Sequence, residues 1–261
     1  MSARAHQPVA VISGGNGGLG RALAAGLRAQ GWRLHLIDRH FDAAQDAPDQ
    51  QLHRCDLTDA AAREACFARI LARDPRLDLV IYNAGITQIG PVEALAETTH
   101  RQVFEVNYFA ACAMARAFLP TLRQSRGTHL AISSVAGFAP LYQRAAYAGS
   151  KHALDGFFKC LRAEEARHGV RVQIAAPSFI ATNPGRPETT AEGIARPGSA
   201  PDGVDYMSPE AAAAQILRGL ARGHAMIPVG RVARLAWWLN RAAPGLMHRA
   251  MMRSVARSRT C

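Results

Sequence analysis

The sequence predicts an α/β fold: a doubly wound parallel sheet in three layers, with an added helical tail at the C-terminal end. Three observations predict it. Short apolar runs alternate with stretches of helical period along most of the chain. The helical stretches are long enough to be right-handed crossovers between parallel strands. The first apolar run passes through a glycine cluster straight into a helix, which is how α/β sheets open toward a ligand.

The elements follow in order. VAVISG (9–14) reads as a buried strand, LGRALAAGLRAQG (19–31) as a helix and RLHLID (33–38) as the second strand. LHRCD (52–56) is a short third strand, followed by a helix over 58–73. DLVIYNAG (78–85) is the fourth strand and a long helical stretch covers 99–124. THLAISS (128–134) is the fifth strand, 145–168 a helix, and VRVQIAAP (170–177) the sixth strand. Residues 183–206, rich in Pro, Gly and Thr, form a long irregular segment of the kind that usually serves as a lid.

The 261 residues, 49% of them apolar, suffice for one sizeable core, so 1–230 reads as a single domain and 231–261 as its tail. Five cysteines are scattered without a CxxC pair, which fits a reducing, cytoplasmic setting better than a disulfide framework. The first residues lack a secretory signal, and no apolar run is long enough to span a membrane. No metal-ligand spacing stands out. The net charge of +11 is unevenly placed: after Glu210 there are nine arginines and no acid.

Ser13-Gly14-Gly15-Asn16-Gly17-Gly18-Leu19-Gly20 lies between the first strand and the first helix. Glycines there let the backbone approach a pyrophosphate, and the helix aims its free N–H groups and positive dipole end at it. Asp38 ends the second strand, where a carboxylate can accept both hydroxyls of an adenosine ribose. It would repel a 2′-phosphate by roughly 1–4 kcal/mol. Arg39 alongside would partly offset this, so NAD is favoured and NADP is the alternative.

Tyr147 and Lys151 stand at i and i+4 in YAGSK, on one face of a predicted helix. Lys151 and Lys159 are the only lysines in the chain. Alone, the pattern reads as a surface tyrosine beside a solvated lysine. Beside a cofactor, the ammonium would lower the phenol's pKa toward the range where a general acid or base works.

Together these motifs resemble the short-chain dehydrogenase/reductase family over about residues 8–230, in its single-domain form with a Rossmann-type sheet. The family's TGxxxGxG appears as SGGNGGLG, with Ser13 for threonine, and its NNAG as Tyr82-Asn83-Ala84-Gly85. Asn107 in VNYFA, Ser134 in ISSVAG, and YxxxK at Tyr147 and Lys151 match its catalytic positions. PGxxxT appears as Pro177 to Thr182, with Ser178 in place of glycine. The resemblance implies that Tyr147 transfers a proton while hydride moves between a carbinol carbon and the nicotinamide. Lys151 would lower the tyrosine's pKa and bind the nicotinamide ribose. Ser134 would hold the substrate oxygen, and Asn107 a water that relays protons. The cofactor would lie against Gly14, Asn16, Gly18, Leu19, Gly20, Asp38, Arg39, Asp56, Leu57, Asn83, Ala84, Gly85, Tyr147, Lys151, Pro177 and Thr182, with Asp56 at the adenine. Ser133 is the competing serine, but strand alternation points it to the opposite face from Ser134.

Phe138, Leu141, Tyr142, Phe179 and Ile180 flank this site and suggest an apolar pocket for a secondary alcohol or ketone. The resemblance also implies a homodimer or homotetramer. A rival reading is a cofactor-binding or membrane-associated scaffold that turns nothing over. In the tail, Leu235, Trp238, Leu239, Leu246, Met247, Ala250 and Met251 recur at helical spacing between arginines, and Pro244 splits two helices. Packing on the body or on a second subunit is one reading. Peripheral contact of 231–259 with an anionic membrane is the other. Nucleic acid is not expected, because no DNA-reading motif accompanies the apolar stripe.

Overall fold

The computed structural model describes residues 6–41, 47–182, 190, 193–195, 197–198, 206–247 and 249. Its strands are β1 (Val9–Ser13), β2 (Arg33–Asp38), β3 (Gln50–Arg54), β4 (Leu79–Tyr82), β5 (Thr87–Gln88), β6 (Thr128–Ile132), β7 (Arg171–Pro177), β8 (Ile194–Ala195) and β9 (Met226–Val229). Its α-helices are α1 (Gly18–Arg28), α2 (Ala60–Arg73), α3 (Glu97–Phe104), α4 (Ala110–Ser125), α5 (Ala145–Glu165), α6 (Pro209–Ala221) and α7 (Arg231–Ala242).

Seven strands form one parallel sheet in the order β3-β2-β1-β4-β6-β7-β9. Side chains alternate across each strand, so β1 feeds two cores. Val9 and Val11 join Phe67, Met114, Phe118, Leu154 and Phe158 on the face covered by α2, α4 and α5. Ala10 and Ile12 join Leu23, Leu27, Ile216 and Leu217 on the face covered by α1 and α6. Burial on both faces explains why these strands read as continuous apolar runs. The strand order reverses between β1 and β4, and ligands of such sheets bind outside the carboxyl ends at that point.

Three departures from the sequence reading have physical causes. A seventh strand, β9, escaped notice because MIPV is short and carries Pro228, tolerated here because β9 is the sheet edge. The helical stretch expected over 99–124 is three pieces: α3, a π-helical turn over Glu105–Phe109, and α4. The third strand lies at Gln50–Arg54; the Cys55 N–H still bonds the Asp38 carbonyl of β2 at 2.8 Å, and Asp56 lies beyond the sheet. Most of the expected 183–206 lid lies outside the described residues, as do Ala250 and Met251; Ile194 and Ala195 pair antiparallel with Gln88 and Thr87.

The start of the tail packs on the body. Ala236 and Met247 are buried against Ala139, with Phe138 and Leu239 beside them. Phe138 meets Trp237 edge-on at 5.1 Å between ring centroids. Phe138, which the sequence places beside the site, therefore supports α7.

Candidate active site

The carboxyl ends of β1 and β4 are stitched together by side chains. Ser13 Oγ accepts hydrogen bonds from the Asn83 and Ala84 backbone N–H groups at 3.0 and 3.1 Å. Asn83 Nδ2 donates to the Gly14 carbonyl at 2.9 Å. Gly14 adopts φ +66°, and a Cβ there would come 2.9 Å from Ala84 Cα, so both the turn and the close approach require glycine. A Cβ on Gly20 would sit 2.1 Å from the Gly14 carbonyl oxygen. Gly20 does not line the cavity: it lets α1 pack onto the turn, and the ligand contact expected of it is corrected to this packing role.

Beyond this turn lies a cavity of about 1400 Å³, larger than the usual ~300–1000 Å³ small-molecule site. Gly14, Asn16, Gly18 and Leu19 line it at one end, with Asp38, Arg39, Asp56, Leu57, Asn83, Ala84 and Gly85. Ser134, Tyr147, Lys151, Pro177 and Thr182 line the same cavity. The structure thus brings together the expected catalytic and cofactor-binding residues except Gly20 and Asn107. Leu141, Tyr142, Phe179 and Ile180 also face it. Thr182 lies directly against Gly18, where an added Cβ would approach the Thr182 carbonyl to 2.7 Å.

This end of the cavity fits a dinucleotide. The N-terminus of α1 begins at Gly17, which offers no side-chain cap, and its first turn holds no acid. Its N–H groups are therefore left for an anion. Asp38 is fixed by backbone donors: Asn16 N–H to Oδ2 at 2.9 Å and Arg39 N–H to Oδ1 at 2.8 Å. Burial alone would raise the Asp56 carboxyl, but the Thr58 backbone N–H and hydroxyl and the Arg39 charge outweigh it. Asp56 is held below the ordinary carboxylate range. Among the described residues no cluster of His, Cys, Asp or Glu could hold a metal ion.

The reactive end is built by α5 and the end of β6. Ser133 and Ser134 face opposite ways, as strand alternation requires. Ser133 lies against the buried Asp155 carboxylate, whereas the Ser134 hydroxyl bonds the Tyr147 phenol. Ser134 Oγ also accepts the Ala136 N–H at 3.1 Å, which fixes its rotamer. Lys151 is buried; its Nζ donates to the Ile132 carbonyl at 2.9 Å and lies 5.8 Å from the Tyr147 ring centroid.

Asn107 sits behind this wall in the π-helical turn, a distortion common at functional sites. Its Oδ1 accepts the Ile86 N–H at 2.8 Å, and Nδ2 donates to the Ile86 carbonyl and Ser150 Oγ, both at 2.9 Å. A Cβ on Gly85 would touch both Asn107 Oδ1 and Lys151 Nζ, at 3.3 and 3.6 Å. Glycine at 85 therefore leaves the space beside both polar groups open. The role of Asn107 in this structure is to clamp the loop after β4 onto α5.

The electrostatics correct one expectation. Tyr147 is raised above the ordinary phenol value because burial dominates, and the Ser134 hydrogen bond and the Arg144 charge only partly oppose it. Lys151, the cation expected to lower the phenol, is not what pulls it down. The Ser134 hydrogen bond does so most and the Arg144 charge next; the sequence reading missed Arg144. Three residues before Tyr147, it is buried, lines the cavity and donates to Thr87 Oγ1 at 3.0 Å. Its only sequence signal is i, i−3 spacing, which arginine at a helix start does not make specific.

Lys151 itself is pushed down to about 8 by burial, with the Asp155 charge acting in the opposite sense. Asp155 follows one turn later on α5 and is equally buried. Removing its negative charge disfavours the ammonium, so the proton leaves at lower pH. Asp155→Asn is expected to move the Lys151 midpoint below about 8. Because Lys151 and Lys159 are the only lysines, NMR of lysine-labelled protein, assigned with Lys159→Arg, reads it directly. A midpoint that stays or rises would exclude Asp155 as the counter-charge.

Comparison with known proteins places this geometry. The sequence profile described as short chain dehydrogenase matches residues 8–193. Dehydrogenase/reductase SDR family member 7B of Bos taurus is 34% identical, across 96% of this chain and 82% of its own. A short-chain dehydrogenase from Burkholderia cenocepacia, solved with NADP, superposes with TM-score 0.81 at 26% identity, covering 94% of this chain and 98% of the other. A 4-hydroxyisoleucine dehydrogenase solved with NADH superposes with TM-score 0.62 at 27% identity, covering 67% and 76%.

Proposed function

We propose, on the premise that this chain belongs to the short-chain dehydrogenase/reductase family and is an oxidoreductase, that it interconverts a secondary alcohol and a ketone of appreciable apolar surface. NAD is the preferred cofactor in this reading. One observation carries it: the Tyr147 phenol, bonded by Ser134 and flanked by Lys151, shares the wall of a single cavity with the glycine turn and Asp38.

When bound, the dinucleotide supplies or accepts the hydride. Gly14, Asn16, Gly18, Leu19, Asp38, Asp56, Asn83, Ala84 and Gly85 would hold it, and Lys151 is the one ammonium placed to bond its ribose. Ser134 holds the substrate oxygen beside the Tyr147 hydroxyl, and the proton passes between the two oxygens. A raised phenol pKa keeps that hydroxyl protonated at neutral pH, the state that ketone reduction needs. The nearby Arg144 charge stabilises the phenolate left behind.

The cofactor choice rests on Asp38, since the structural relatives bind NADP in one case and NADH in another. The substrate class rests on the walls beyond Tyr147, where Leu141, Tyr142, Phe179, Ile180 and Val232 supply apolar surface. Aryl and long-chain ketones are expected to be turned over with kcat/KM roughly tenfold or more above that of polyol-derived ketones. A panel of both kinds checks this, and a preference for the polyols overturns the substrate class. A purely structural scaffold has no need for Ser134, Tyr147 and Lys151 to converge on one cavity. The free thiols of Cys55, Cys66, Cys112 and Cys160 suit a reducing compartment.

A further inference from the structure

α7 packs by one face and exposes the other. Ala233 and Ala236 are buried, and Val232, Ala236 and Met247 line the cavity. On the outer face Arg231, Arg234, Leu235, Trp238 and Arg241 are all exposed, at the spacing of a single helical stripe. Leu235 is 70% exposed, Trp238 69%, and Leu246 in the turn beyond is 51% exposed. Apolar side chains of this size, collected on one face, mark an interaction surface. Two more exposed aromatics, Tyr142 and Tyr206, also line the cavity, so its rim shares this apolar character.

Charge decides what fits this face. After Glu210 the chain carries nine arginines and no acid. A second copy placed symmetrically would set arginine against arginine, with no carboxylate in the segment to relieve it. A nucleic acid duplex offers the arginines phosphates but gives Leu235 and Trp238 no apolar place to enter. An anionic bilayer satisfies both, with headgroups for the arginines and the acyl boundary for leucine and tryptophan. The geometry is that of a helix lying on the surface, and no helix among the described residues is long and apolar enough to cross a membrane.

We propose that the outer face of α7 docks on an anionic phospholipid bilayer. The inference stands on the shape and charge of α7 and is independent of the chemistry assigned to the cavity. Docking puts Leu235 and Trp238 into the headgroup boundary while Val232 and Ala236, on the opposite side of the same helix, keep facing the cavity.

The test is co-sedimentation of the full chain with vesicles of phosphatidylcholine alone or with roughly one-third phosphatidylglycerol. Binding is expected only with the anionic lipid, and is expected to fall as salt rises. Leu235→Gln with Trp238→Gln, and separately Arg231→Gln with Arg234→Gln, should each weaken it about tenfold or more. Circular dichroism and activity on a soluble ketone, unchanged in both variants, show that the fold is intact. Failure of the wild type to sediment, or binding that neither variant reduces, overturns the proposal. A drop in oligomeric state for Leu235→Gln/Trp238→Gln, seen by analytical ultracentrifugation without lipid binding by the wild type, assigns the face to a second copy instead.

Discussion

Replacing Tyr147 by phenylalanine is expected to lower kcat by roughly 10²–10⁴-fold, the usual contribution of a positioned general acid or base. The substitution removes one oxygen and leaves the ring that packs beside Lys151, so the cavity keeps its walls. Lys151 keeps its bond to the Ile132 carbonyl, and the glycine turn keeps its bonds to Asn83 and Ala84. Cofactor affinity should therefore change by no more than a few-fold, because one hydroxyl is lost while the other groups that would hold the dinucleotide remain. Single-turnover rates with cofactor titrations by fluorescence separate the two quantities. Activity retained in Tyr147→Phe sinks the proton-transfer role, whereas a parallel loss of cofactor affinity says that the phenol serves binding instead.

Ser134 provides a second view of the same chemistry. It bonds the phenol and is also held by the Ala136 N–H, so it enters catalysis already oriented. Its loss leaves the proton donor present but the substrate oxygen unsteadied.

Most of this site was legible in the sequence, for a physical reason. Turns that approach a dinucleotide need glycine, and a proton-transfer pair on one helix needs i, i+4 spacing, so both leave marks a reader can find. Buried parallel strands leave apolar runs, which is why β1, β2, β4 and β6 fell close to their expected bounds. What the sequence hid was set by tertiary packing. Arg144 acts on Tyr147 only because the start of α5 folds under Thr87, and nothing local announces a buried guanidinium. The direction of the Tyr147 shift was misread because spacing shows the neighbouring charge but not the desolvation that opposes and exceeds it. An aromatic beside a site looks the same in sequence whether it faces a ligand or the core, and Phe138 faces Trp237. α7 packs on the body by its alanine face, which helical spacing alone does not single out, and the Trp238 ring stays outside.

Asp38 carries the second large effect, on cofactor choice. Its two oxygens are pinned by the Asn16 and Arg39 N–H groups, so the carboxylate cannot swing away from an arriving ribose. A 2′-phosphate a few ångströms away would meet a fixed negative charge, at a cost of roughly 1–4 kcal/mol between water-like and surface-like screening. Arg39 is exposed and its charge also falls on Asp56, so its attraction for the same phosphate is that of a solvated pair, about 1 kcal/mol or less. The repulsion is the larger of the two over most of that range, and the wild type should bind NAD+ more tightly than NADP+. Asp38→Asn keeps the shape and one acceptor while removing the charge. It is expected to strengthen NADP+ binding by roughly tenfold or more and to weaken NAD+ binding, because a neutral amide accepts ribose hydroxyls less well than a carboxylate. Fluorescence titration of both dinucleotides against both proteins gives the four constants needed. If the wild type prefers NADP+, Arg39 outweighs Asp38 and the assignment reverses; if Asp38→Asn leaves NADP+ affinity unmoved, the carboxylate does not face the ribose at all.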